Sequence, residues 1–303
     1  MAELHIPTSE QVYLLNHELI AHANELQDPV ITVGGQAVFY WASYYQELYP
    51  ATEQPDERAL RSVDIDYVSR KRNVIGIGKA LNIEPKFQEP FTPPSIAIFS
   101  LIDRDTAKIK EFGGRLFSNA DIQYRENIID IIDRPSGFQH DEFTGEKLLL
   151  NTEPFITRHI KSGVPESHDL VRVLNPVACM RSRFANIAEK IKPDTETESL
   201  RIKSLMLPVF YFLLDKFEFE HFRHARRFLD SFIQLTQHSA WRRIQTRQNI
   251  PLYKILEQLY IFLSANRKDY ELDDKFIDRE LCKKARETRA LFERLQKVSR
   301  TSG

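Results

Sequence analysis

Val30-Ile31-Thr32-Val33-Gly34-Gly35-Gln36-Ala37 opens the stretch that decides the fold, and Ser62-Val63-Asp64-Ile65-Asp66-Tyr67 closes it. The first is a β-branched run that stops at two glycines, the pattern of a strand ending in a turn. Beyond it, Ala37, Tyr40, Trp41, Tyr44 and Leu48 recur at helical spacing, which predicts a helix with one apolar stripe. The second is a short strand carrying two carboxylates. Residues two apart on a strand point to one face, so Asp64 and Asp66 are expected side by side.

Each half has a chemical consequence. Glycine lets a ligand come close to the backbone, and the N–H groups of a helix start face an anion. Two carboxylates on one face repel unless a cation sits between them. Oxygen donors of this kind suit a hard divalent ion, which in turn clamps phosphates. Either motif alone is commonplace, as a tight turn or as the solvated end of a strand. Their order, with strand, Gly-Gly, helix and then Asp-x-Asp strand, points to a site for a nucleoside triphosphate and a metal.

Gly34-Gly35-Gln36-Ala37-Val38 with Trp41, followed by Ser62-x-Asp64-Ile65-Asp66-Tyr67, resembles the nucleotidyltransferases related to the AbiEii abortive-infection toxins. These belong to the polymerase-β-like nucleotidyltransferase superfamily. The resemblance covers the first half of the chain well and the second half loosely. It implies that Asp64, Asp66 and a third carboxylate hold Mg2+ or Mn2+ and serve catalysis. It implies that Gly34, Gly35, Gln36 and Ser62 hold an NTP, whose NMP passes to an acceptor hydroxyl as pyrophosphate leaves. The polar segment 47–57, with two prolines, is longer than many relatives have between the motifs and reads as a surface loop.

The third carboxylate belongs on the run from Asn127 to Asp133. Periodicity leaves Asp130 and Asp133 open, because they face opposite sides. The resemblance implies Asp130: relatives often carry an Ile-Asp pair with a glycine seven residues on, and Gly137 stands there. Asp133 is then a strand-end or turn charge. The resemblance also implies a basic residue, usually Lys, on a later helix facing the nucleotide. Asn175-Pro176 opens that helix, over Val177 to Ile187, with Pro well placed in its first turn. Of Arg181 and Arg183, Arg183 shares a face with Asn186 and is the candidate. An Arg fork replaces a Lys point charge there. A salt-bridged helix surface is the alternative.

Around these motifs, a first helix is expected from Thr8 or Ser9 to about Leu26, with Val12, Leu15, Leu19 and Ala23 inward. Arg70, Lys71 and Arg72 either touch phosphate or begin a surface helix. That helix runs to Leu81 with Ile75, Ala80 and Leu81 inward. Strands are expected over Ser95–Leu101, Leu148–Leu150 and Leu170–Leu174. Arg158, His159 and Lys161 either line the site or are loop charges. Four helical segments follow: Glu196–Lys216, Glu220–Gln237, Pro251–Asn266 and Asp273–Val298. The expected class is α+β. A nucleotidyltransferase-fold mixed sheet with flanking helices occupies 1–174, and an all-helical C-terminal bundle occupies 175–303.

The chain has 303 residues, 42% of them hydrophobic, and a net charge of −1. That charge is unevenly spread. Residues 1–150 hold 14 Lys+Arg against 23 Asp+Glu, a net of −9, and residues 151–303 hold 28 against 20, a net of +8. An acidic half suits a metal and a basic half suits a polyanion, with tRNA or another RNA as the expected acceptor. The basic cluster is His221, Arg223, His224, Arg226 and Arg227, then Trp241, Arg242, Arg243 and Arg247, which either holds RNA or is a solvated helix face. Cys179 and Cys282 lack ligand spacing and are expected as reduced thiols in a cytoplasm. The N-terminus has no signal-peptide pattern, and Leu205–Leu214, interrupted by Pro208, is too short to span a bilayer. A toxin or phage-defence role, with an antitoxin partner, is an expectation from the resemblance. The competing readings are a nucleotide-binding regulatory module without turnover and a structural protein.

Overall fold

The computed structural model describes residues 8–50, 55–60, 64–88, 94–100, 111–112, 115–116, 128–157, 166–191 and 195–301. It is a mixed α+β chain that divides into two compact units. One holds residues 1–40 and 60–175, the other residues 41–59 and 176–303.

In chain order, the first unit begins with α1 (Thr8–Ala21) and a 3-10 turn (Ala23–Glu25). The strand β1 (Val30–Thr32) leads into α2 (Gly34–Leu48), and the division between units falls within α2, after Tyr40. A short α3 (Glu57–Leu60), which belongs to the second unit up to Ala59, precedes β2 (Ile65–Val68), a 3-10 turn (Lys71–Asn73) and α4 (Val74–Leu81). Then come β3 (Lys86–Phe87), β4 (Ser95–Ser100), β5 (Glu111–Phe112), β6 (Arg115–Leu116) and β7 (Ile128–Ile132). A 3-10 turn (His140–Phe143), α5 (Gly145–Asn151), β8 (Thr152–Pro154) and β9 (Val171–Leu174) complete it.

Seven strands form one mixed sheet in the order β3-β4-β7-β2-β1-β9-β8, and β5 pairs with β6 apart from it. The pairings β1 with β9 and β2 with β7 are parallel, and the others in the sheet are antiparallel. One face of the central strands is apolar: Ile65 and Tyr67 of β2, Ile129 and Ile131 of β7, and Ala97 and Phe99 of β4 are buried. The alternate positions Asp66, Asp130 and Ile98 are half-buried on the other face. The α4 helix packs on the apolar face, where Gly78 comes close enough that a Cβ would lie 3.3 Å from the Phe99 ring.

The first helix is shorter than expected, and its stripe of Val12, Leu15, Leu19 and Ala23 is buried. In α4 the buried residues are Val74, Ile77, Gly78, Ala80 and Leu81, a face at helical spacing that Ile75 misses. Ile75 is therefore half-exposed rather than inward. Leu48, at the end of α2, is likewise exposed. Leu148–Leu150 is helical, not a strand: it lies in α5, and only Thr152 begins β8. Three leucines without a β-branched neighbour are good helix formers, and Glu146-Lys147 ahead of them extend the same preference.

Asn73 ties the strand ends of this unit together. Its Oδ1 accepts from the Gln27 N–H at 2.8 Å, and its Nδ2 donates to the Asp28 carbonyl at 2.8 Å and to Ser69 Oγ at 2.9 Å. The residue is fully buried. Asn73→Ala is expected to cost about 1–3 kcal/mol, because it strands buried backbone groups. Urea unfolding measures it, and a loss under about 0.5 kcal/mol would contradict this role.

The second unit is helical: α6 (Pro176–Ala188), α7 (Thr195–Ser204), α8 (Met206–Phe219), α9 (Phe222–Gln237), α10 (Ser239–Arg247), α11 (Tyr253–Ala265), a π-helical turn (Phe276–Leu281) and α12 (Cys282–Thr301). The expected single helix 196–216 is thus two, and the last one opens with π geometry. Residues 41–59 add Trp41 and Tyr45 to an aromatic core with Tyr211 and Phe212, and Tyr45 donates to Asp215 Oδ2 at 2.7 Å. Cys179 and Cys282 are free and buried. Among the described residues, no helix is long and apolar enough to cross a membrane.

Candidate site of carboxylates at a glycine turn

The β1–β2 ladder continues one step past β1, where the Val33 N–H donates to the Asp66 carbonyl at 3.0 Å. The next residue is Gly34, at φ +69°, in the left-handed region that glycine enters without strain. Here the chain turns directly into α2. A Cβ on Gly34 would overlap Asp66 Oδ2 and lie 3.2 Å from its Cγ. Glycine is thus required twice, for its backbone angle and for the space the carboxylate occupies. The N–H groups of Gly34, Gly35 and Gln36 lie in the first turn of α2, which has no carbonyl ahead of it in the helix.

Asp130 is the direct register neighbour of Asp66 across the parallel pair β2–β7. Adjacent strands run about 4.8 Å apart, so the two carboxylates stand beside each other on one face. Ser95 Oγ donates to Asp130 Oδ1 at 2.5 Å and fixes that carboxylate from the far side. Ser95 is the residue that sequence reasoning missed. Its only sequence signal is its place after Pro93-Pro94 at the start of a strand, which says nothing of its partner.

Asp64 stands in a bend one residue before β2 begins. Its Oδ1 is shielded from solvent. Ser62, Arg158, His159 and Lys161 lie outside the described residues. Asp133 follows β7, where Arg134 pairs with it at 3.1 Å, and it borders a hollow of about 220 Å³ with Ile31, Val68, Ser69 and Arg70. Gly34, Asp66 and Asp130 are not among the residues that line this hollow.

The donor set consists of carboxylate oxygens, which fit Mg2+ or Mn2+ and not a soft metal. Among the described residues no three His, Cys, Asp or Glu side chains are gathered to hold a metal as they stand. The fit rests on Asp66 and Asp130 in register and on the space Gly34 leaves beside Asp66. Gly34→Ala is expected to cost about 1–3 kcal/mol, from its positive φ and the displaced carboxylate. A melting temperature unchanged within 1 °C, roughly a few tenths of a kcal/mol, would contradict that close approach.

In the second unit, Arg183 is buried in α6 and held by Glu198 of α7, with an N–O distance of 3.2 Å. Asn186, on the same helix face, donates to the same carboxylate, at Oε2, over 2.9 Å. The shared face is real, and what it faces is a carboxylate. Within the basic cluster, Arg226 pairs with Glu280 and Asp230, and His224 pairs with Glu220. Trp241 packs against Phe184 and His238, while Arg223, Arg227, Arg243 and Arg247 are exposed.

Comparison with protein-family models, with curated proteins and with solved structures finds no match to this chain.

Proposed function

We propose that this chain is a metal-dependent nucleotidyltransferase, moving an NMP from an NTP to an acceptor hydroxyl with release of pyrophosphate. The observation that carries this reading is the seating of Asp66 on Gly34 with Asp130 beside it in register. The resemblance of the Gly34-Gly35 and Asp64-x-Asp66 stretches supports the same reading. Asp66 and Asp130, with Asp64 next to them, would hold Mg2+ or Mn2+. Bound there, the ion offsets the negative charge that builds on the phosphates. The first-turn N–H groups of α2 bind the triphosphate. Asp130, oriented by Ser95, accepts the proton of the acceptor hydroxyl as its oxygen bonds to the α-phosphorus and the bond to pyrophosphate breaks. Water is the competing nucleophile, and the half-buried setting of both carboxylates limits its access.

RNA, with tRNA first, is the acceptor favoured by the net +8 of residues 151–303. If so, replacing exposed Arg227 and Arg243 with Gln lowers the salt slope of RNA binding by about two. An unchanged slope would return them to a solvated surface. A protein acceptor, a toxin or phage-defence role and an antitoxin partner rest on the resemblance alone.

A second reading is a nucleotide- and metal-binding module without turnover. It is favoured by the commitment of Arg183 to Glu198, which leaves no lysine or free arginine assigned to the nucleotide from α6. Incubation with each α-labelled NTP, magnesium, total tRNA and cell lysate separates the two. Label on RNA or on a protein band supports transfer. No label, from a chain that melts higher with NTP and magnesium, supports the binding module. The absence of both label and melting shift rejects both readings.

A further inference from the structure

The π-helical turn Phe276–Leu281 is a rare geometry that recurs beside functional sites in helices. It buries Phe276, Ile277 and Leu281 and leaves Asp278, Arg279 and Glu280 exposed. Between this turn, the start of α12 and α9 lies a cavity of about 370 Å³. Its floor is apolar, made by Leu229, Ile233, Phe276 and Leu281. Small-molecule pockets run from about 300 to 1,000 Å³, so this one admits a compact ligand and not a folded partner.

The walls are unbalanced in charge. Arg226, Arg279, Lys283 and Lys284 line the cavity against Asp230 and Glu280, a surplus of two positive charges. Both carboxylates are spent on Arg226, Glu280 at 2.6 Å and Asp230 at 3.7 Å. Among the described residues the ion pairs of Lys283 and Lys284 go to Glu287, at 3.8 and 3.5 Å, in exposed pairs of little worth, and Lys284 also lies within electrostatic reach of Asp230. Among the described residues Arg279 has no ion-pair partner. Partial burial raises the Asp230 carboxyl above its ordinary value, with its side chain still about half exposed.

We propose that this cavity binds a small organic anion: one phosphate, sulfonate or carboxylate on an apolar body of two rings or a short alkyl chain. The body covers Leu229 and Phe276, and the head pairs with Arg279 and Lys283. This site is independent of the carboxylate site in the first unit and does not rest on the nucleotidyltransferase reading. Its chemistry combines apolar area for affinity with a forked donor for the anion.

The test uses the full chain and 1-anilinonaphthalene-8-sulfonate, a fluorescent sulfonate on an aromatic body. Saturable binding at one site per chain is expected, with displacement by octyl phosphate. Octanol and inorganic phosphate, each half of the ligand, should compete at least about tenfold more weakly. Arg279→Gln with Lys283→Gln changes only exposed side chains and should weaken the dye about tenfold or more without moving the melting temperature. Ile233→Trp, which fills the half-buried wall, should abolish it. The proposal is overturned if the dye shows no saturable site. It is equally overturned if octanol competes as well as octyl phosphate, or if the charge variant and Ile233→Trp both bind as the parent does.

Discussion

An Asp66→Asn chain is expected to fold as the parent does and to lose nucleotide transfer by on the order of a thousandfold or more. The carboxylate lies against Gly34 and beside Asp130, so it is the member of the site with contacts on both sides. An amide keeps its shape but supplies no charge to a divalent ion, and several kcal/mol of charge stabilisation correspond to that factor. The fold should not suffer. Removing one of two neighbouring like charges relieves repulsion, so the melting temperature should stay level or rise slightly. Asp133→Asn is the control: that carboxylate pairs with Arg134 beyond the end of β7, and transfer should change by less than about threefold. Parent-like transfer by Asp66→Asn would remove the assignment.

Glu198→Ala is expected to destabilise the second unit by about 3–5 kcal/mol. Glu198 and Arg183 side chains are 2% and 6% exposed, and Arg201 joins the same carboxylate at 2.7 Å. Removing the carboxylate leaves a buried guanidinium with no counter-charge, which costs more than the pair itself contributes. Replacing both, as Arg183→Met with Glu198→Leu, should therefore recover most of the loss. Burial alone would push the Glu198 carboxyl up, but attraction to Arg183, the Asn186 hydrogen bond and Arg201 outweigh it, and the carboxyl sits below its ordinary value. A folded value below the unfolded one contributes stability that is complete above the ordinary value of 4.5 and lost as pH falls through the folded value. Glu198→Gln should flatten that acid limb in urea unfolding at a series of pH values. A loss under about 1 kcal/mol for Glu198→Ala would contradict the buried-charge account.

How much of this was legible in the sequence depends on the range of the interaction concerned. The turn at Gly34 and the strand at Asp66 are local, and β-branched residues, glycine and alternation reveal them directly. Periodicity does not choose between Asp130 and Asp133, and the register of Asp130 against Asp66 is a long-range pairing that no local pattern encodes. The Ser95 hydrogen bond is hidden for the same reason. Leu148–Leu150 misled because a short apolar run has no period of its own, so strand and helix look alike. The reading of Arg183 found the correct helical face. It could not find Glu198, which comes from the next helix and turns a candidate phosphate ligand into a buried ion pair.

The central claim is that Asp66 and Asp130 share one divalent ion beside the Gly34 turn. The most direct measurement is a Mn2+ titration followed by electron paramagnetic resonance, with a non-hydrolysable NTP present. Bound Mn2+ is expected for the parent and for Asp133→Asn, and its loss is expected for both Asp66→Asn and Asp130→Asn. Equal Mn2+ binding by all four proteins, or none by the parent, would contradict the account.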